Sequence, residues 1–484
     1  MLSEGALSRD RIALQCLAGY CRRMPGMNRT LQTGNPYIIS AFKSMLFHQL
    51  LVVLVIGALL AVVWNILRSV QYKRAVAVGG RTLPSAAKST ATNKSSPEPV
   101  ARRMLRVTFG LLWIFDGVLQ AQGSMPLGLP SGVLKPGASS SPAWVQHVVH
   151  IGIAIWTNHP VEAASSVVWI QVGIGLLLLV APRGRWSRTG GIVSITWGLV
   201  VWIFGEAFGG IFGSGLSWAF GAPGAAFFYI AAGVLIALPE RSWQQKSMGR
   251  GILAAMGGLF VAMSILQAWP GRGFWQGQVH GSSTVGTMPE MIREMAHVPQ
   301  PGFLASWVSS FANFDASHGW GLNLVLVMGL AVIGTGLLSG KSRVTKAMVL
   351  ASTALCLADW ILVQDLGFMG GIGTDPNSMI PMAMMLIAGY VAMVHLPVQS
   401  RVETTPPVNL PRTRWERLDP TYAFRASAAI AAIAIVLLGA VPMLAASTDA
   451  GAELRSKGHG TEITTSPKSA PITPTTDRRR QQAT

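Results

Sequence analysis

Apolar stretches of about 20 residues recur along this chain, separated by short polar turns, a pattern that predicts helices crossing a lipid bilayer. They fall at roughly 46–67, 104–122, 164–181, 188–206, 221–238, 250–269, 320–339, 345–365, 378–396 and 424–446. Inside lipid a backbone amide has no water to bond, so each run must close its hydrogen bonds within itself as a helix. The prediction is an all-α polytopic membrane protein with about ten transmembrane helices.

The polar intervals divide the chain. Residues 1–45 read as an N-terminal extension, because Met45-Leu-Phe-His-Gln begins as membrane proteins commonly do. The run 46–67 is too long and too apolar for a signal-peptide core, with no small-residue cleavage motif after it, and reads as an uncleaved anchor. Residues 68–100, proline-punctuated over 82–100, read as a disordered linker, and 399–423 as a cytoplasmic linker. Between these lie module A (101–240) and module B (248–398), four helices each. A C-terminal helix at 424–446 precedes a Ser/Thr/Pro tail, 447–484, that reads as disordered.

The two modules repeat one another in sequence. Gly110-Leu-Leu-Trp-Ile-Phe-Asp-Gly-Val-Leu-Gln-Ala121 returns as Gly257-Gly-Leu-Phe-Val-Ala-Met-Ser-Ile-Leu-Gln-Ala268. Trp202-Ile-Phe-Gly-Glu206 returns as Trp360-Ile-Leu-Val-Gln-Asp365, which pairs Glu206 with Asp365, and Pro223 and Pro381 each follow their tryptophan by 21 residues. Matching order and spacing predict a tandem duplication. Repeat interfaces often hold the sites of membrane proteins.

Composition supports this reading: of 484 residues, half are hydrophobic and only 12% are charged. The net charge of +18 would invite a nucleic-acid reading if it were not segregated by loop. Loops 66–106, 181–190, 239–251, 340–346 and 397–426 carry 23 Lys and Arg, whereas 123–164, 206–221, 270–319 and 366–378 carry three. That asymmetry predicts a multi-pass cell-membrane protein with the basic loops cytoplasmic and the long loops 123–163 and 270–319 outside. No basic stripe interleaved with aromatics points to nucleic acid; the lipid bilayer is the expected partner, together with another envelope or respiratory protein. Cys16, Cys21 and Cys356 are too few for a disulfide framework.

Residues 106–117 (Arg106, Gly110, Asp116, Gly117) and 173–188 (Gly173-Ile-Gly-Leu-Leu-Leu-Leu, then Arg183 and Arg188) resemble the DoxX family of small four-helix membrane proteins. In module B, 253–268 and 328–346 carry the likeness, which covers about 60% of the chain. The family includes DoxD-like subunits of thiosulfate:quinone oxidoreductase, so the resemblance implies a four-helix fold and a quinone-linked process as one role. A shared fold specifies architecture more than activity.

Candidate chemistry lies in the few polar residues near or within the spans. Asp116 and Asp359 are the carboxylates well inside them, and a carboxylate there costs several kcal/mol, by order of magnitude, unless paired or wetted. The alternative is a neutral Asp acting as hydrogen-bonding glue between helices. Glu206 and Asp365 sit at helix ends before Gly-rich turns, which with His159, His318, Trp202 and Trp360 make an outward site present in both halves. Against this, tight turns simply need glycine. His147 and His150, or Met291, Met295 and His297, have spacings that suit soft metal ligation, although amphipathic helices lying on the membrane explain the same spacings. Apart from His48 and His395 the predicted spans hold no histidine, which speaks against a buried bis-histidine haem. With no phosphate-binding loop, dinucleotide fingerprint or His-Glu-x2-His, ATP-driven transport by this chain alone is excluded, and the isolated chain reads as non-enzymatic.

Three functions stay open at this level. One is a membrane subunit in a redox, quinone-linked or envelope process; a second is a proton-coupled small-molecule transporter using Asp116 and Asp359. The third is a non-catalytic membrane scaffold or assembly factor docking through the outer loops.

Overall fold

A computed structural model describes residues 34–79, 98–277, 286–395 and 420–459. Most of the N-terminal extension, including Cys16 and Cys21, parts of both linkers and residues 460–484 lie outside the described residues. Among the described residues every regular element is helical.

Seven helices among the described residues contain stretches long and apolar enough to cross a membrane: α1 (Pro36–Gly79), α5 (Pro160–Val180), α6 (Gly184–Gly205), α8 (Lys246–Ala268), α10 (Gly302–Leu338), α11 (Ser342–Leu362) and α13 (Pro420–His459). An eighth candidate span is α2 (Val100–Gln120) joined to α3 (Met125–Ala138) across a 96° bend. The chain is an integral membrane protein.

The expected spans 221–238 and 378–396 are shorter as helices, α7 (Ala225–Ala237) with 13 residues and α12 (Met379–Val394) with 16. At 1.5 Å per residue neither covers a hydrocarbon core of about 30 Å. Non-helical Gly-rich segments precede both, 206–224 and 363–378. The long loops carry α4 (Ala143–Asn158), α9 (Thr287–His297) and the first half of α10, which bends at His318.

Three expected boundaries need correction. Helix α1 starts at Pro36, ahead of Met45, and Phe42 is fully buried against Met125 and Leu129. It also runs to Gly79, so 68–79 are helical, and α13 runs to His459, so 447–459 are helical too. Alanine-rich and polar helix formers extend a helix past its apolar stretch, which a hydropathy pattern does not register.

Glycine sets the closest helix crossings. A Cβ on Gly110 of α2 would lie 3.1 Å from the Gly175 carbonyl of α5, and one on Gly257 of α8 would lie 2.8 Å from the Gly334 carbonyl of α10. Helix α13 presses on α5 the same way, since a Cβ on Gly439 would lie 2.3 Å from the Ser166 carbonyl. Helix α1 joins them through Trp169 Nε1, which donates to Gln49 Oε1 at 2.8 Å. Small residues let backbones approach where lipid supplies no hydrophobic drive.

At the end bearing the basic loops, two buried arginines of α2 tie the bundle. Arg102 donates to Glu98, to the Pro182 and Ile236 carbonyls and to Ser187 Oγ. Arg106 makes a two-pronged pair with Glu98 and reaches the Leu178 and Leu179 carbonyls. Helix C-termini leave such carbonyls unbonded and carry partial negative charge, so guanidinium groups fit there.

The two halves exchange their Gly-rich segments. From 206–224, Ser217 Oγ donates to Gln267 Oε1 of α8 at 2.6 Å, and Leu216 O accepts from Arg272 at 2.8 Å. From 363–378, Gly373 O accepts from Gln122 at 3.0 Å, and Phe368 packs edge-on against Phe115 of α2. Each segment thus closes the far end of the other half.

Candidate functional site

A cavity of about 300 Å³ lies at the end of the bundle opposite the arginines, enclosed by α2 to α7, α13 and the tip of segment 363–378. Two π-helical turns border it: Val133 and Leu134 come from Pro130–Leu134, and Val201, Phe204 and Gly205 from Val201–Gly205. A π turn widens the helix by one residue and recurs at functional sites. Trp113, Trp156 and Trp197 supply aromatic walls.

Its polar groups are Asp116 and Gln120 of α2, Gln171 of α5, Tyr229 of α7, Ser447 of α13, Glu206, and Thr374 with Asp375 from the other half. Asp116, Gln120, Gln171 and Tyr229 are each at most 5% exposed. Gln120 Oε1, Gln171 Oε1 and Trp197 Nε1 lack a hydrogen-bond partner, while Asp116 and Tyr229 face each other across the hollow as a side-chain hydrogen-bonding pair. A buried polar atom without a partner costs about 1–3 kcal/mol, so three around one hollow mark a place built for something that bonds them. By contrast, a larger groove of about 760 Å³ between α7 and α8 is mostly apolar, and no atom lining it is orphaned in this way.

The Glu206 carboxylate caps α7, both oxygens accepting from Ala226 N at 3.0 and 3.2 Å. Its remaining edge opens on the cavity. Desolvation by the surrounding protein, and then the nearby Asp375, push it up to about 8. Asp375 accepts from Asn377 N at 2.7 Å and Thr374 Oγ1 at 2.8 Å, yet desolvation still raises it. Asp116 lies within electrostatic reach of both carboxyls. No Lys, Arg or His lines the cavity.

Of the residues expected to matter, the structure gathers Asp116 and Glu206 here and leaves the others elsewhere. Asp359 is buried apart, accepting from Gln364 Nε2 at 3.0 Å. Asp365 is buried in its own turn, where desolvation raises it to about 6. Trp202 Nε1 donates to Pro223 O at 2.8 Å and Trp360 Nε1 to Pro376 O at 2.9 Å, so both indoles brace turns. His159 caps α5, while exposed His318 stacks on Phe314 at 4.4 Å. His147, His150 and His297 are exposed, and α9 buries Met288, Ile292 and Ala296, leaving Met291 and Met295 half-covered. Among the described residues no three of His, Cys, Asp and Glu come together as metal ligands would. Cys356 is free and buried.

Backbone conformation also corrects the pairing of Glu206 with Asp365. Left-handed dihedrals occur at Ala207, Phe208 and Gly209 and again at Asp365, Leu366 and Gly367. Aligning these runs sets Glu206 against Gln364 and Ala207 against Asp365. The indole bonds likewise set Pro223 against Pro376, not Pro381. Along the chain, one more residue separates Trp360 from Asp365 than separates Trp202 from Glu206.

Gln267, the counterpart of Gln120 in the repeated stretch, accepts from Ser217 and donates to Asn323 Oδ1 at 2.8 Å. Met263 stands where the first copy has Asp116. Tyr229, Gln171, Gln120 and Asp375 are functional residues that motif reading missed. The available signal was an amide within an apolar run, as in Val167-Val-Trp-Ile-Gln-Val172.

Comparison with family models, with curated proteins and with solved structures finds no match to this chain.

Proposed function

We propose that this integral membrane protein is a proton-exchanging carrier that takes a small amphiphilic molecule into the carboxyl-lined cavity. The observation that carries this reading is the convergence of Asp116, Glu206, Asp375 and Tyr229, from both halves of the chain, around unpartnered buried polar atoms. A carboxyl that gains or loses a proton as its ligand arrives or leaves is the minimum equipment for proton coupling. The short helices α7 and α12 each follow a Gly-rich turn, and π turns lie on the cavity wall, irregularities of the kind that interrupt helices around carrier sites. A scaffold would have no use for the orphaned atoms.

The architecture we propose is a duplicated, DoxX-like quartet. Matching glycine contacts (Gly110 on Gly175, Gly257 on Gly334) and matching left-handed turns support the duplication. Among the residues that carry the family resemblance, Arg106 and Gly110 hold α5, and Asp116 lines the cavity. Segregated basic residues support an orientation with the cavity end outside the cytoplasm. Module A keeps the acidic site, whereas module B has replaced it with a neutral, hydrogen-bonded plug.

A quinone-linked role is the second reading, favoured by one observation: Trp197 Nε1 is an unpartnered donor in an aromatic slot. The histidines first considered for it do not line the slot.

The test is uptake into proteoliposomes of a panel of small aromatic amines, quinone head groups and neutral aromatics, with and without an imposed pH gradient. The reading requires that at least one solute moves faster with the gradient and that Asp116→Asn abolishes the acceleration. Transport indifferent to both would overturn it.

A further inference from the structure

We propose that the molecule this cavity accepts is a small amphiphilic ammonium ion bearing N–H donors, seated with its charged end on Asp116 and its apolar end among the tryptophans. The inference rests on the reading of the cavity as a ligand site and names the class of ligand.

Three observations lead to it. The lining holds three carboxyl groups and no basic side chain, so an anion meets only repulsion and desolvation. Two of the three orphaned atoms are acceptor oxygens, Gln120 Oε1 and Gln171 Oε1, and the Asp116 carboxyl stands beside them in the lining, so the missing partner is rich in donors. A glutamine amide can turn to present nitrogen, but a carboxylate cannot, and the carboxyls outnumber the free donors. The indole rings of Trp113 and Trp197 and the ring of Phe204 add faces that attract a cation.

Size narrows the class further. About 300 Å³ is the liquid volume of about ten waters, enough for one aromatic ring with a short aminoalkyl arm. A quaternary ammonium would satisfy the charge but leave the orphaned oxygens unbonded, so a primary or secondary ammonium fits better.

The charge balance is simple. R–NH3+ enters, the cluster of Asp116, Glu206 and Asp375 releases one H+ to solution, and the net charge of the cavity is unchanged. Near neutral pH Glu206 holds a proton that can be given up in this way. The titratable groups facing it across the cavity are Asp116 from α2, Tyr229 from α7 and Asp375 from segment 363–378. Affinity therefore rises with pH up to about 8 and levels off above it.

The experiment is calorimetric titration of the full chain in lipid nanodiscs with 2-phenylethylammonium, its uncharged isostere n-propylbenzene, the anion 3-phenylpropionate, and a dimethoxy-methyl-benzoquinone. We expect saturable ammonium binding at least about tenfold tighter than that of n-propylbenzene, with protons released on binding. Asp116→Asn should weaken it about tenfold or more, and Tyr229→Phe, which removes one oxygen and keeps the packing, about threefold. Equal affinity for n-propylbenzene or the quinone, or ammonium binding untouched by both variants, overturns the assignment. Binding of the quinone alone, sensitive to Asp116→Asn, overturns the ammonium class and leaves the proton-exchanging cavity standing. Absence of binding by every probe, together with gradient-independent uptake, sinks both.

Discussion

Replacing Glu98 by Gln tests whether the arginine knot is a buried structural clamp or a wetted surface contact. Glu98 accepts Nε and Nη2 of Arg106 at 3.0 and 2.9 Å and Nη1 of Arg102 at 3.0 Å. Its side chain is 8% exposed, and those of the two arginines 1% and 5%. Glutamine keeps the shape, but it removes the one carboxylate shared by two buried guanidinium groups and turns an N–H2 toward Arg106. Exposed pairs contribute about 0–1 kcal/mol, whereas breaking a buried one costs about 3–5 kcal/mol because a charge is left uncompensated. With two cations losing their shared counter-charge at once, we expect Glu98→Gln to cost about 3–5 kcal/mol, a loss of about two to nearly four orders of magnitude in the folding equilibrium. Unfolding of purified protein by a graded mole fraction of dodecyl sulfate in mixed micelles, followed by tryptophan fluorescence, reads that shift directly. A change below about 1 kcal/mol would refute the burial argument and mean that water reaches the knot.

Other predictions follow from single contacts. Because Glu206 is raised to about 8, its contribution to stability is present below the ordinary carboxylate value and is lost as pH climbs toward 8. Wild-type melting temperature should therefore fall between about pH 5 and about pH 8 more steeply than that of Glu206→Gln, and parallel curves would contradict this. At Gly209, φ is +63° and an added Cβ would lie 1.6 Å from the Pro223 carbonyl, so Gly209→Ala should abolish monodisperse protein on size exclusion. Gly210→Ala, at φ +70° with nothing within 4 Å, should cost only about 1 kcal/mol. Gly110→Val and Gly257→Val each push α2 or α8 off a facing carbonyl and should lower thermal stability comparably. Stability unchanged in either one would mean that crossing is looser than drawn.

Hydropathy alone determined that this chain is a helical membrane protein, because the cost of unpaired backbone in lipid leaves a 20-residue apolar run no alternative conformation. Segregated basic residues and the repeated Leu-Gln-Ala stretch were equally legible, since both are properties of order along the chain. Asp116 could be singled out for the same reason: an acid inside an apolar run is conspicuous wherever it packs. What surrounds Asp116 was not legible. Whether a carboxyl is glued or open depends on partners many residues away, and here the same reasoning flagged Asp359, which Gln364 bonds away from the cavity, and Asp116, which faces Tyr229 inside it. Gln171, Tyr229 and Asp375 reach the cavity from three separate elements. Their convergence depends on a 96° bend, two π turns and a Gly-rich segment lent by the opposite half. Each of these follows from how helices pack against one another, and periodicity within a single helix carries no record of its neighbours.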